Sequence, residues 1–73
     1  MEVKIGVQHA PREIVLETSE DREALEKKVA EAVKSSGTLA VDDNRGRRVL
    51  VPGDRIAYVE IGGGVSGQVG FRS

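Results

Sequence analysis

Thr38-Leu39-Ala40-Val41-Asp42, Asp43-Asn44-Arg45-Gly46, Arg47-Arg48-Val49-Leu50-Val51, Pro52-Gly53, Arg55-Ile56-Ala57-Tyr58-Val59-Glu60-Ile61: this stretch decides the fold. Three runs rich in β-branched and apolar residues are separated by two clusters of turn residues, which is the signature of strands joined by tight connections. Asp43-Asn44-Arg45-Gly46 places Gly at the end of the first turn, and Pro52-Gly53 matches the two central positions of a type II turn. The reading predicts a meander in which strands adjacent in sequence pair in space.

Upstream of it, Thr18 or Ser19 is suited to cap a helix, with the acids Glu20 and Asp21 complementing the positive end of the dipole. No Gly or Pro occurs from there to Ser35, and Leu25, Val29, Ala32 and Val33 recur on one stripe opposite Glu23, Lys27, Glu31 and Lys34. That spacing predicts one amphipathic helix, stopped at Ser35-Ser36-Gly37 with Gly37 as the left-handed cap. Further upstream, Val3, Ile5 and Val7 alternate with Glu2, Lys4, Gly6 and Gln8 as in a half-buried strand. His9-Ala10-Pro11-Arg12 interrupts the alternation and Glu13-Ile14-Val15-Leu16-Glu17 resumes it, so the first two strands form a hairpin. The order is β-β-α-β-β-β, which predicts an α+β fold: a single antiparallel sheet of about five strands with one amphipathic helix on one face. Downstream, Gly62-Gly63-Gly64-Val65-Ser66-Gly67 opens a mobile, Gly-rich C-terminal segment (62–73) in which Gln68-Val69-Gly70-Phe71 is the only further strand candidate.

With 73 residues the chain is one small domain, 1–73, with little room for a core. There is no Cys and one His, so neither disulfides nor a Cys/His zinc site is available within one chain, and a reducing, cytoplasmic setting fits. Tyr58 and Phe71 are the only aromatics, too few for a base-stacking platform. Eleven Lys and Arg against twelve Asp and Glu leave a net charge of -1, so nucleic-acid binding must rest on a local patch. No run of residues is long and apolar enough for a membrane span, and the N-terminus has no basic targeting region.

One helix covers one face of a sheet, and in this chain apolar residues fall on both. If Leu39, Val41 and Leu50 lie beneath the helix with Val3, Ile5, Val7, Ile14, Leu16, Ala57, Val59 and Ile61, then Val49, Val51, Ile56 and Tyr58, with Val15, face outward. That second set predicts a subunit interface, sheet against sheet. The alternative is a one-residue slip of strand phase at a bulge, which returns those residues to the core.

For chemistry, Gly62–Gly67 spells G-x-G-x-x-G after a strand, yet the six residues that remain cannot supply the helix and second strand a dinucleotide site needs. His9 has no nucleophile motif beside it, and Asp42-Asp43-Asn44 lacks the later ligands of a calcium loop, so the sequence offers no catalytic residue and no metal site. Arg45, Arg47 and Arg48, joined by Arg55 and Arg12, are the one cluster with the donors to grip phosphate or carboxylate. Asp42, Asp43 and Asp54 stand close enough in sequence to neutralise them.

Met1-Glu2-Val3-Lys4-Ile5-Gly6-Val7-Gln8-His9-Ala10-Pro11-Arg12-Glu13, with Gly46-Arg47-Arg48-Val49-Leu50-Val51-Pro52 and Ile56-Ala57-Tyr58-Val59-Glu60-Ile61, resembles the uncharacterised actinobacterial domain-of-unknown-function 3107 family of small proteins. The likeness spans nearly the whole chain. It implies a small cytosolic protein with no established catalytic residue. Some members carry an ATP-binding label that the residues of this chain do not support, and the Gly62–Gly67 stretch departs from the more polar turn the family implies.

The expected function is therefore a non-enzymatic cytoplasmic module without a cofactor. It self-associates, as a dimer in the first instance, and binds a protein partner through Val49, Val51, Ile56 and Tyr58, oriented by Arg47 and Arg48. The alternative is nucleic-acid binding through the Arg45–Arg48 turn with Arg55, and the third reading is nucleotide binding.

Overall fold

We describe residues 1–62 of a computed structural model of the chain. The expected Gly-rich C-terminal segment, Gly62 apart, and the strand candidate Gln68–Phe71 lie outside the described residues.

Strands β1 (Glu2–Val7) and β2 (Ile14–Glu17) form the expected hairpin, in register from Glu2 opposite Glu17 to Ile5 opposite Ile14. Alternation decides their faces: Val3, Ile5 and Leu16 are buried. The exposed His9 takes a positive φ of 64° in the connecting turn, where Ala10 N–H donates to the Val7 carbonyl at 3.2 Å.

Helix α1 runs Arg22–Ser35. Its cap is Asp21 rather than Thr18 or Ser19, the carboxylate accepting the Ala24 N–H at 3.1 Å. Thr18 is instead buried, and its hydroxyl accepts the Glu20 N–H at 3.1 Å, a turn that delivers the chain to the cap. At the far end Ser36, not Gly37, adopts the left-handed conformation (φ 56°), and the N–H groups of Ser36 and Gly37 both reach the Ala32 carbonyl. Leu25 and Ala32 are buried and Val29 packs against them, while Val33, one step around the helix, faces water.

Strands β3 (Thr38–Asp42) and β4 (Arg48–Pro52) pair as read, but β5 (Ile56–Ile61) does not continue the meander. The fold is α+β, with one helix and two small antiparallel sheets, ordered β2-β1-β5 and β3-β4, in place of a single five-stranded sheet. The cause lies at Pro52-Gly53. Instead of a type II turn, Gly53–Arg55 forms one turn of 3-10 helix, and the Gly53 N–H donates to the Gly37 carbonyl at 2.6 Å. A side chain at Gly53 would collide with the Ala32 carbonyl at the end of α1, so here glycine permits backbone to pass close to backbone. The chain is thereby carried past the hairpin to the free edge of β1, where Gln8 N–H bonds the Arg55 carbonyl at 2.8 Å and β5 pairs from Val7 opposite Ile56 to Val3 opposite Ile61.

The hairpin and α1 then share one core with the three-stranded sheet: Val3, Ile5, Leu16, Leu25, Ala32, Leu39, Val41 and Val51. This arrangement removes the problem of a sheet apolar on both faces. Leu39 is opposite Val51 and Val41 opposite Val49, so β4 points Val49 and Val51 inward and leaves Leu50 62% exposed, the reverse of the expected phase. On β5 the register shifts between Gly6 and Val7: Tyr58 faces Gly6, Ile56 faces Val7, and Ala57 is the extra, exposed residue. That bulge turns Ile56 to the core along with Val59 and Ile61.

Candidate binding surface at the open edge of β3

The arginine turn is internally paired. Asp43 is buried at its base, its carboxylate accepting the Arg45 N–H at 2.7 Å and the Arg47 guanidinium at 3.0 Å, and its carbonyl accepting the Gly46 N–H. These hydrogen bonds, the Arg45 N–H first, outweigh desolvation and hold the Asp43 carboxyl below the ordinary carboxylate range. Arg48 grips Asp42 with two nitrogens, at 2.6 and 3.3 Å, which lowers the Asp42 carboxyl and raises the Arg48 guanidinium. Among the described residues no ion pair engages the guanidinium of Arg45 or of Arg55. Of the five arginines grouped from the sequence, Arg47 and Arg48 are therefore spent on shaping their own turn.

The proposed apolar interface is not assembled either. Val51 is only 2% exposed, Val49 and Ile56 pack on the core, and of the set only Tyr58 and Val15 are on the surface. The inward phase of β4 explains the first two and the β5 bulge the third. Among the described residues no group of three or more His, Cys, Asp or Glu is placed to hold a metal ion, and no helix is long and apolar enough to cross a membrane.

What sequence reasoning missed is the outer edge of β3. In an antiparallel pair, residues alternate between exchanging both backbone hydrogen bonds and pointing both groups away. Asp43 N–H bonds the Arg47 carbonyl at 2.7 Å and Gly53 N–H bonds that of Gly37, which fixes the odd-numbered residues of β3 as the bonded set. Thr38, Ala40 and Asp42 thus turn their N–H and C=O groups away from β4. Pro52, opposite Thr38, obeys the same rule: a residue without an N–H sits where none is needed.

The edge so exposed forms one wall of a groove of about 360 Å³, with Gly37, Thr38 and Ala40 on one side and Lys27, Lys28, Glu31, Ala32 and Ser35 of α1 on the other. At one end of the edge Glu20 intervenes. Its carboxylate accepts the Asp42 N–H at 2.9 Å through Oε2 and the Lys28 ammonium at 2.7 Å through Oε1. Burial raises the Glu20 carboxyl, and the bonds from Lys28 and Asp42 outweigh it, so the group stays below its ordinary value. The signal for this site was present in the sequence only as Glu20, which reads as a helix-start acid, and as the small Ala40 at the centre of a strand.

No curated protein matches the chain. A family model described as Protein of unknown function (DUF3107) matches residues 1–72, from the first strand of the sheet through the last described residue and beyond. The resemblance carried by the first strand and the β4 and β5 segments thus extends over the chain, which belongs to the DUF3107 family.

Proposed function

We propose that this protein is a non-enzymatic, cytoplasmic protein-binding module that takes an extended strand onto the open edge of β3, a second copy of the chain serving as that strand when no other is present. The observation that carries the reading is the row of outward backbone groups on Thr38 and Ala40, which line a groove of about 360 Å³ beside α1. Main-chain hydrogen bonds supply affinity in strand addition, and the groove beside the edge supplies selectivity. A long open edge left without such a use is an aggregation hazard that proteins ordinarily cover or blunt. Self-association through this edge also suits a chain too short to build a large core of its own.

Nucleic-acid binding through the Arg45–Arg48 turn draws less support, because Arg47 and Arg48, the centre of the cluster, already pair with Asp43 and Asp42 and leave Arg45, Arg55 and Arg12 for phosphate. Nucleotide binding rested on the ATP-binding label that some family members carry, and the glycine-rich stretch, which cannot supply a dinucleotide site, lies, Gly62 apart, outside the described residues.

Sedimentation equilibrium tests the reading. The 73-residue chain should associate at micromolar concentration, and Ala40→Pro, which removes an N–H not used within the chain, should be monomeric with an unchanged unfolding midpoint. Should Ala40→Pro fail to fold, Thr38→Pro, opposite Pro52, makes the same test. A wild-type chain that is monomeric throughout, or a proline variant that still associates, overturns the proposal.

A further inference from the structure

Glu20 belongs to no regular element. It stands one residue ahead of the Asp21 cap, and its side chain runs back along α1 to Lys28, eight residues on, and across to the backbone of β3. The Asp42 carboxylate does not compete for these donors, being turned to Arg48. An ammonium and a backbone N–H converging on one carboxylate, at the end of an open strand edge, are the elements by which a carboxylate on an added strand is held. The occupant in the unbound protein is the chain's own carboxylate.

We infer that the Lys28 ammonium and the Asp42 N–H form a carboxylate site that Glu20 fills in the unbound protein, and that an extended acidic segment of a partner protein, laid along the β3 edge, takes it over. The inference rests on the strand-addition reading and names the partner's chemistry. With Glu20 swung out, Lys28 keeps no ion pair among the described residues; Asp42 stands near enough to feel its charge but is paired with Arg48, and the groove lining sets Lys27 and Lys28 against the single carboxylate of Glu31. An acidic strand complements that balance and a basic one does not. Exchange of one carboxylate for another at the same donors conserves their hydrogen bonds, so the added backbone pairing at Ala40 is the net gain. Glu20 also shortens the edge a second copy can use, since the Asp42 N–H is engaged until Glu20 departs. Self-pairing is accordingly weaker than the full edge would allow, though still within the micromolar range, and yields to an acidic strand.

The test is an amide-resolved NMR titration of the full chain with two capped hexapeptides of alternating Thr and Val, one ending in Glu with a free carboxylate, the other ending in Gln as the amide. The acidic peptide should shift the amides of Ala40 and Asp42. Glu20→Ala should bind it on the order of tenfold more tightly than wild type, because the peptide no longer has to displace a charge-assisted carboxylate contact, which is worth about that factor. Affinity for the amide peptide should rise by a smaller factor, since it gains the freed Asp42 N–H but offers no charge to the Lys28 ammonium, and Lys28→Met should erase the preference for the acid. If Glu20→Ala gains equally for both peptides, Glu20 is only an edge guard and the carboxylate site is overturned while strand addition stands. If neither peptide shifts Ala40 in Glu20→Ala, strand addition itself fails.

Discussion

The two small sheets meet at one core but expose different things to water. In the three-stranded sheet β1 is paired on both sides and the open edges fall to β2 and β5, and its outward face carries Val15, Lys4 and Glu60 across one row, with Gly6 opposite Tyr58 and Glu2 opposite Glu17 to either side. Tyr58 lies over Gly6, and its hydroxyl donates to the Glu13 carboxylate, so one aromatic ring covers the gap a missing side chain leaves. In the hairpin, β3 and β4 are each paired on one side only, and the edge of β3 is the one that borders the groove beside α1. A face is read by side chains and is made safe here by charge. An edge is read by backbone, and among the described residues only Glu20 blunts this one.

The joint between the two sheets is where the contrast can be broken outright. Gly53 passes against the Ala32 carbonyl and also bonds Gly37, so Gly53→Ala must push backbone away from backbone at the point where the hairpin, α1 and β5 converge. We expect a loss of about 3 kcal/mol, at the upper end for inserting one carbon into a close-packed site. A urea midpoint unchanged from wild type would show that the chain reaches β5 without that close approach.

Within the hairpin the phase of β4 makes a second, smaller contrast. Val51→Ala empties a buried position and should cost about 2 kcal/mol, whereas Leu50→Ala removes a larger but mostly exposed side chain and should stay within about 0.5 kcal/mol. Urea unfolding of the two variants side by side decides it. Equal losses would mean that the outer face of the hairpin is covered in solution, and a larger loss for Leu50 would restore the phase expected from sequence.

That phase shows where legibility ended. The strands, the helix and the first and second hairpins follow from alternation, a helical stripe and turn residues, all of which are local signals. Which face each strand buries is not local. Val49-Leu50-Val51 is apolar throughout, so period two offers no choice between Leu50 and its neighbours, and pairing with Leu39 and Val41 makes it. Pro52-Gly53 favours a turn on its own residues, yet the decisive contact is with Ala32, some twenty positions earlier. Likewise Arg47 and Arg48 read as a patch until Asp42 and Asp43, close in sequence and correctly suspected, are seen to bind them. The β3 edge was illegible because its chemistry is backbone, and backbone carries no letter in the sequence.

The smallest effect expected isolates the face of the three-stranded sheet, through the only tyrosine in the chain. The hydrogen bond to the Glu13 carboxylate, then desolvation and the charges of Glu13 and Glu60, raise the Tyr58 phenol above its ordinary value. The shift disfavours the charged form of an acid in the folded state. Its contribution to stability is therefore complete below the unfolded phenol value, about pH 10, and is lost as pH rises through the higher folded value. Ultraviolet titration of tyrosinate absorbance should place wild-type Tyr58 above the free phenol. In Glu13→Gln the phenol should fall back toward it but not all the way, because desolvation and then the charge of Glu60 on the same strand still disfavour the ionised form. If the substitution leaves the titration where it was, the ring is not held by Glu13, and the gap over Gly6 is covered by some other means. Because neither Ala40 nor Lys28 takes part in this contact, the same variant should leave association through the β3 edge untouched, which separates the face from the edge in a single protein.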